Sequence, residues 1–365
     1  MSSFYNPVQI IQSDNWEKSV KKIMTRLNIV NPIVVTSSGN KDRLELASIF
    51  KQNSIFCLNK SNPTFDDCNE IISFCSGKSF DGVIALGGGS SMDLAKVAIA
   101  FISHKNTNLL ELINYKEEYE HLVPSIFIPT THGTGSEVTM WGTIWNMEEK
   151  KKYSISNHQL YPKVSVLDGN LTLSLPLDIT LMTTMDAMTH SFEAIWNKTQ
   201  NSISNDYATE SISLIIKYID KLKKDLTDIA ARKKLLLASN LAGLAFSHTK
   251  TAAAHSISYP LTIRYGIPHG IAVFFSLISL LEKNKPYIER SLKVIYKKCS
   301  LDYEGLKKHI TSIPQNIFEM KLSNWGVKEN DIQKLARESF NSTRIKNNII
   351  QLKESDVQKI IYNNF

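Results

Sequence analysis

Asp186 and His190 stand four residues apart in a stretch of helical periodicity, so both side chains can leave one helix face. His255 lies toward the end of another helical stretch, and His269 follows Gly266, Ile267 and Pro268. One carboxylate with three imidazoles is a donor set for divalent iron or zinc. An ion held by such a set would lower the pKa of an alcohol oxygen while hydride leaves the carbon. In the opposite direction it would polarise a carbonyl. The remaining histidines, His104, His121, His158, His248 and His309, are read as ordinary core or surface groups.

A second kind of chemistry is written in glycines and hydroxyls. Gly87, Gly88, Gly89 and Ser90 follow an apolar run and open a helix that carries Asp93 and Lys96. Glycines let a backbone approach a ligand closely, and the free N–H groups of a helix start suit a diphosphate. The Gly-x-Gly-x-x-Gly fingerprint is absent after the first strand. Thr130, Thr131, His132, Gly133, Thr134 and Gly135 form a second loop of small donors, able to take a phosphate, a ribose or a nicotinamide.

These residues need elements to hold them. Strands are expected at Pro32–Thr36, Ser54–Leu58, Gly82–Leu86 and Ser125–Pro129, with helices at Leu44–Phe50, Asp66–Phe74 and from Met92. A β excursion spans Tyr153–Asp168 and includes Val164–Leu167. Beyond Leu175 and Pro176 the pattern turns helical: Ile179–Trp196, Asp206–Leu222, Leu226–Ser256 and Ile271–Leu281, then lysine-rich segments to Phe365. The expected fold is an α/β dinucleotide-binding domain over residues 1–176 and an all-helical, metal-binding domain over 177–365. The active site is expected in the cleft where the two meet.

Composition sets outer limits. Apolar residues make up 42% of the 365-residue chain and charged residues 21%, ordinary for a globular protein. No apolar run reaches the length of about 18 residues needed to span a bilayer, so no membrane partner is expected. The start of the chain lacks the basic and apolar regions of an export signal, which leads to an expected cytoplasmic location. Cys57, Cys68, Cys75 and Cys299 have no zinc-knuckle spacing and are read as reduced thiols. The formal charge is +7, but its lysines and arginines fall in short clusters without a base-reading motif, so no nucleic-acid partner is expected.

The stretches Ala85–Lys96, Thr131–Thr139, Met185–Glu193 and Leu241–Phe246, with His255 and Pro268–Gly270 after them, resemble in order and spacing the iron-containing (group III) alcohol dehydrogenase family. The resemblance covers nearly the whole chain and implies a dehydroquinate synthase-like architecture. It implies Asp186, His190, His255 and His269 as ligands of Fe2+, with Zn2+ or another divalent metal as the alternative. It implies diphosphate contacts at Gly88, Gly89 and Ser90, with Asn62, Asp93 and Lys96 also in the cofactor set. Thr130, Thr131 and Thr134 would face NAD(H) or NADP(H). Relatives form dimers or larger assemblies, so a homo-oligomer is expected.

Two departures from the family pattern matter. Many members have a second histidine four residues after the ligand matching His255; Tyr259 occupies that position and becomes the candidate hydrogen-bond donor to substrate. Ser37 stands where members that favour NAD carry an acidic residue, and with Lys41 and Arg43 nearby it opens the way to NADP(H). The stretches Val138–Trp145, Lys151–Ser154 and Ser258–Thr262 resemble the phosphonoacetaldehyde reductase (hydroxyethylphosphonate dehydrogenase) branch. That likeness implies an anionic aldehyde, with Trp141, Lys151, Lys152 and Arg264 as substrate candidates. A general short-chain alcohol dehydrogenase, an NAD-dependent sugar-phosphate cyclase related to dehydroquinate synthase, and a nucleotide-binding regulator remain as alternatives.

Overall fold

The computed structural model describes residues 3–58, 60–104, 107–340 and 342–365. By its internal contacts the chain divides into two units. An α/β unit holds residues 6–131 and 136–172; a helical unit holds the N-terminal residues up to Tyr5, 132–135 and 173–365.

In the α/β unit, β1 (Gln9–Gln12), β2 (Pro32–Thr36), β3 (Ile55–Cys57), β4 (Gly82–Gly87), β5 (Ser125–Pro129) and β8 (Val164–Leu167) form one sheet. Its order is β1-β8-β5-β4-β2-β3, and every pairing is parallel. The continuous apolar runs follow from that topology, because a parallel strand covered by helices is buried on both faces. Successive side chains alternate between two cores. Val83, Ala85 and Phe127 enter one with Val97 and Ile71; Ile84, Leu86 and Ile126 enter the other with Val20 and Leu46. The covering helices are α1 (Trp16–Arg26), α2 (Ser38–Arg43), α3 (Leu46–Ile49), α4 (Phe65–Cys75), α5 (Gly89–Ser103) and α6 (Leu109–Asn114). An antiparallel hairpin, β6 (Trp141–Asn146) and β7 (Lys151–Ser156), stands outside the sheet.

The helical unit contains α7 (Leu177–Ile195), α8 (Ser202–Lys224), α9 (Ile229–Thr249), α10 (Ala253–Tyr265), α11 (His269–Phe274) and α12 (Leu277–Asn284). They are followed by α13 (Glu289–Cys299), α14 (Tyr303–Ser312), α15 (Ile332–Phe340) and α16 (Glu354–Tyr362). Among the described residues, no helix is long and apolar enough to cross a membrane.

Several expected elements divide. Of the helix expected over Leu44–Phe50 only Leu46–Ile49 is helical; α2 lies before it, and the two are parted at Glu45, whose φ of 48° is left-handed. The long helix expected over Leu226–Ser256 stops at Thr249, because Lys250 takes φ 65° and turns the chain before α10. Ile271–Leu281 likewise divides into α11 and α12. Apolar periodicity continues across each break, so periodicity alone carries no trace of it.

Candidate metal and cofactor sites

Asp186 and His190 lie one turn apart on α7 and are nearly inaccessible, at 4% and 5% exposure. His255 enters from the first turn of α10, and His269 is the first residue of α11. A glycine makes the last placement possible: a Cβ on Gly270 would stand 2.1 Å from the carbonyl oxygen of Met182, so α11 lies directly against α7. His255 Nε2 is 3.7 Å and His269 Nε2 3.9 Å from Asp186 Oδ1. Donors each about 2.1 Å from a common ion stand roughly 3 to 4 Å apart, so these separations fit a divalent metal. The ligand atoms of Asp186, His255 and His269 all lie within 4.8 Å of one another. His190 stands beside this group, its Nδ1 3.5 Å from the same carboxylate oxygen and its ring stacked 4.2 Å from Phe246.

Glu193 completes the arrangement, and the sequence reasoning passed over it. It sits two turns beyond Asp186 on α7, so Asp186, His190 and Glu193 share one stripe; that i, i+4, i+7 spacing was the available signal. Ala252, the N-cap residue of α10, offers no side-chain cap, and the fully buried Glu193 supplies one from a distance. Ala252 N–H donates to its Oε2 at 2.9 Å and His255 N–H to its Oε1 at 3.1 Å. His255 Nδ1 lies 2.6 Å from Oε2, which places the ring proton on Nδ1 and leaves Nε2 with a lone pair directed toward Asp186. Burial pushes the Glu193 carboxyl up to about 7, opposed by the amide N–H groups and by the charge of Arg344.

In the α/β unit the glycine loop joins β4 to α5, with Gly88 as the helix cap. A Cβ on Gly87 would stand 2.5 Å from Ser91 Oγ, so the turn closes without a side chain there, and one on Gly88 would press on the Thr131 side chain at 3.3 Å. Asn62, at φ 61°, donates its backbone N–H to Ser90 Oγ at 3.1 Å. Ser37 caps α2 by accepting from Asn40 N–H; Asn40 reaches Thr130 Oγ1 at 3.4 Å, and Thr130 N–H donates to Gly87 O at 3.0 Å. These contacts tie together the carboxyl ends of β2, β4 and β5. Strand β3 lies on one side of β2 and β4 on the other, so the chain direction across the sheet reverses here, where open parallel sheets bind ligands.

Lys96 and Asp93 are engaged by groups of their own chain. The Lys96 ammonium has no exposure and donates to Ser136 O, Ser136 Oγ, Thr139 Oγ1 and Trp141 O at 2.7–3.0 Å. Asp93 accepts from Ser136 Oγ at 2.7 Å and Thr143 N–H at 3.0 Å. Burial pushes Lys96 down to about 8 while Asp93 resists the shift. The pair anchors the segment from Ser136 into β6.

The substrate candidates are dispersed. Arg264 forms a two-point ion pair with Glu338 at 2.5 and 2.6 Å, which commits the guanidinium fork to a carboxylate of its own chain. Lys151 is exposed at the hairpin tip and pairs with Glu149 at 3.1 Å. Lys152 lies 5.9 Å from the Trp145 ring, and half-buried Trp141 opens β6. Tyr259 lies one turn after His255 on α10, just before the internal Pro260. Thr134 belongs with the helical unit and is half-buried.

Known proteins share this plan. The description Iron-containing alcohol dehydrogenase matches residues 7–169, and Fe-containing alcohol dehydrogenase family, C-terminal, matches residues 180–365. The NAD-dependent methanol dehydrogenase of Bacillus methanolicus is 27% identical over 373 aligned residues, 94% of this chain and 96% of that protein. The long-chain primary alcohol dehydrogenase AdhA of Thermoanaerobacter ethanolicus is 28% identical over 339, covering 88% and 84%. A solved structure, sulfoacetaldehyde reductase from Bifidobacterium kashiwanohense in complex with NAD+, has a TM-score of 0.91 at 26% identity, over 100% of this chain and 98% of that one. With both family descriptions matched along its length and a cluster able to hold a metal ion where the sequence motifs lie, the chain belongs to the iron-containing alcohol dehydrogenase family.

Proposed function

We propose that the protein is a metal-dependent NAD(P)H aldehyde reductase and alcohol dehydrogenase whose substrate is a small anionic aldehyde, phosphonoacetaldehyde, reduced to 2-hydroxyethylphosphonate. The observation that carries the reaction class is the Asp186, His255 and His269 cluster with Glu193 behind it. When bound, the metal and the dinucleotide supply a Lewis acid and a hydride donor: the aldehyde carbon takes the hydride, its oxygen takes a proton, and the alcohol and NAD(P)+ leave.

The chain's own residues divide the remaining work. Asp186, His190, His255 and His269 hold the ion, and Glu193 keeps His255 in the tautomer that can bind it. Gly88, Gly89 and Ser90 hold the diphosphate at the start of α5, where backbone N–H groups and the helix dipole favour an anion. Thr130, Thr131 and Thr134 face the dinucleotide, and Tyr259 or solvent returns the proton. The α/β unit is thus assigned to the cofactor and the helical unit to the metal.

The phosphonate assignment rests on the likeness of the Val138–Trp145 and Ser258–Thr262 stretches to that branch. The similarity to a reductase of sulfoacetaldehyde, also a two-carbon aldehyde with an anionic end, supports it. Arg264 and Lys151 are not carried forward as its recognition groups, since Glu338 and Glu149 already occupy them. A cofactor-oxidation assay of iron-loaded protein with phosphonoacetaldehyde, sulfoacetaldehyde, acetaldehyde and propionaldehyde tests the reading. A clear preference for the phosphonate is expected; no preference for an anionic aldehyde refutes it and leaves a general short-chain alcohol dehydrogenase. Ser37, a hydroxyl rather than a carboxylate at that position, with Lys41 and Arg43 after it, supports use of NADP(H) at least as well as NAD(H). Assays at equal cofactor concentration check this, and a strong preference for NADH refutes it.

A further inference from the structure

The first half of α7 carries a buried polar contact that the proposed reaction does not use. His132, with 1% exposure, places Nδ1 3.2 Å from Thr183 Oγ1 and 3.4 Å from Thr184 Oγ1. Each threonine hydroxyl has a single proton and a nearer carbonyl to receive it. Thr183 Oγ1 is 2.8 Å from Ile179 O, and Thr184 Oγ1 is 2.7 Å from Thr180 O. With those protons directed into the helix, the hydroxyls can only accept from the imidazole. His132 is therefore the Nδ1–H tautomer, and it donates to Thr183.

The backbone around His132 has no slack. A Cβ on Gly133 would stand 2.8 Å from Thr183 Cβ, and one on Gly135 would stand 2.5 Å from Gly243 Cα. Gly135 also takes φ 57°, which disfavours any side chain. The segment is pressed between α7 and α9, and the imidazole supplies its directional bond to α7.

We propose that His132 is a positioning residue for cofactor binding: its hydrogen bond to Thr183 fixes the Gly133–Gly135 backbone on α7 and α9, and so sets Thr134 for the dinucleotide. The proposal rests on reading this loop as a cofactor contact. It differs from the metal-ligand roles in that its loss should leave metal binding untouched.

The test is fluorescence titration of NADH and NADPH into full-length protein, with metal affinity measured in parallel by chelator competition. His132→Ala should weaken dinucleotide binding about tenfold, the effect of losing one buried hydrogen bond, with metal affinity held within about twofold. His132→Asn places an amide N–H where Nδ1–H stood and should keep binding within about threefold of wild type. Thr183→Val should reproduce the loss, and the double variant should be no worse than either single one, because both remove the same bond. Should His132→Ala fail to fold, the Asn and Val variants carry the comparison.

Dinucleotide binding unchanged in His132→Ala, or losses that multiply in the double variant, would overturn the proposal while leaving the cofactor reading intact. A wild-type protein that binds neither dinucleotide would remove both. An independent readout is the imidazole 15N spectrum of the free protein: the signal missing from His132→Asn should be an Nδ1–H tautomer, and an Nε2–H tautomer there contradicts the geometry.

Discussion

Glu193 offers the sharpest test of how the metal cluster is held. Ala252 N–H and His255 Nδ1–H meet Oε2, His255 N–H meets Oε1, and the Ala254 N–H also acts on the carboxyl. Glu193→Gln keeps the shape but turns one acceptor into a donor. With the amide nitrogen at the Oε2 position, two N–H groups face it. With the nitrogen at Oε1, His255 Nδ1–H and Ala252 N–H keep their acceptor and the His255 backbone N–H loses its own, so the second flip is favoured. The orphaned N–H costs about 1 to 3 kcal/mol of stability.

The surviving bond to Nδ1–H loses the charge assistance that the ionised carboxylate gives it, which makes it about half as strong and Nε2 a weaker donor. Replacing such an outer partner of a metal ligand weakens binding about 10- to 100-fold, or about 1.4 to 2.8 kcal/mol. Competition between the protein and a chromogenic chelator for Fe2+ or Zn2+ measures it directly, and kcat/KM at saturating metal should fall less than the affinity does. A Glu193→Gln protein that binds metal as tightly as wild type refutes the reasoning, since the tautomer would then not depend on the carboxylate.

Other expectations follow from the same geometry. Asp186→Asn or His269→Ala should lose both bound metal and turnover; an undiminished rate without metal in either variant contradicts the metal reading. Gly270→Ala brings a methyl to 2.1 Å from Met182 O, so α11 must withdraw from α7. Metal affinity should fall with little change in dinucleotide binding, read by the same titrations. Burial, with the nearby charge of Arg232, depresses His132 to about 3. Its contribution to stability is therefore complete above the unfolded value of about 6.5 and is lost as the pH falls from there toward 3, at most about 1.4 kcal/mol per pH unit. His132→Asn should flatten that part of the denaturation profile, and an unchanged acid slope argues against a neutral buried imidazole.

Most of the sheet and the residues of the candidate metal cluster were legible because they sit in short-range patterns. Gly82–Leu86 leading into glycines announces a buried strand and a helix start, and Asp186 with His190 announces one helix face. Glu193 was readable by the same rule, one step further along α7, but a carboxylate is assigned to solvent unless a buried donor set is known. The acceptors of Lys96 were not legible for the related reason that, from Ser136 to Trp141, they come from a loop whose path periodicity does not describe. Arg264 was drawn toward substrate because Glu338, its partner, lies far along the chain. The helix end at Thr249 depends on a left-handed lysine, a conformation that no residue preference would suggest there. Strand β1 is short and only half-buried, which leaves little hydrophobic signal.

That first strand also constrains how the chain comes into being. Gln9 is synthesised long before Val164, its neighbour in the sheet, and the edge it borders is laid down only after the hairpin has emerged. On the ribosome, β1 must wait with its backbone donors and acceptors open while β2, β4 and β5 assemble. Closing so distant a pairing is slow, and an unpaired edge is the part of a nascent sheet most exposed to wrong partners.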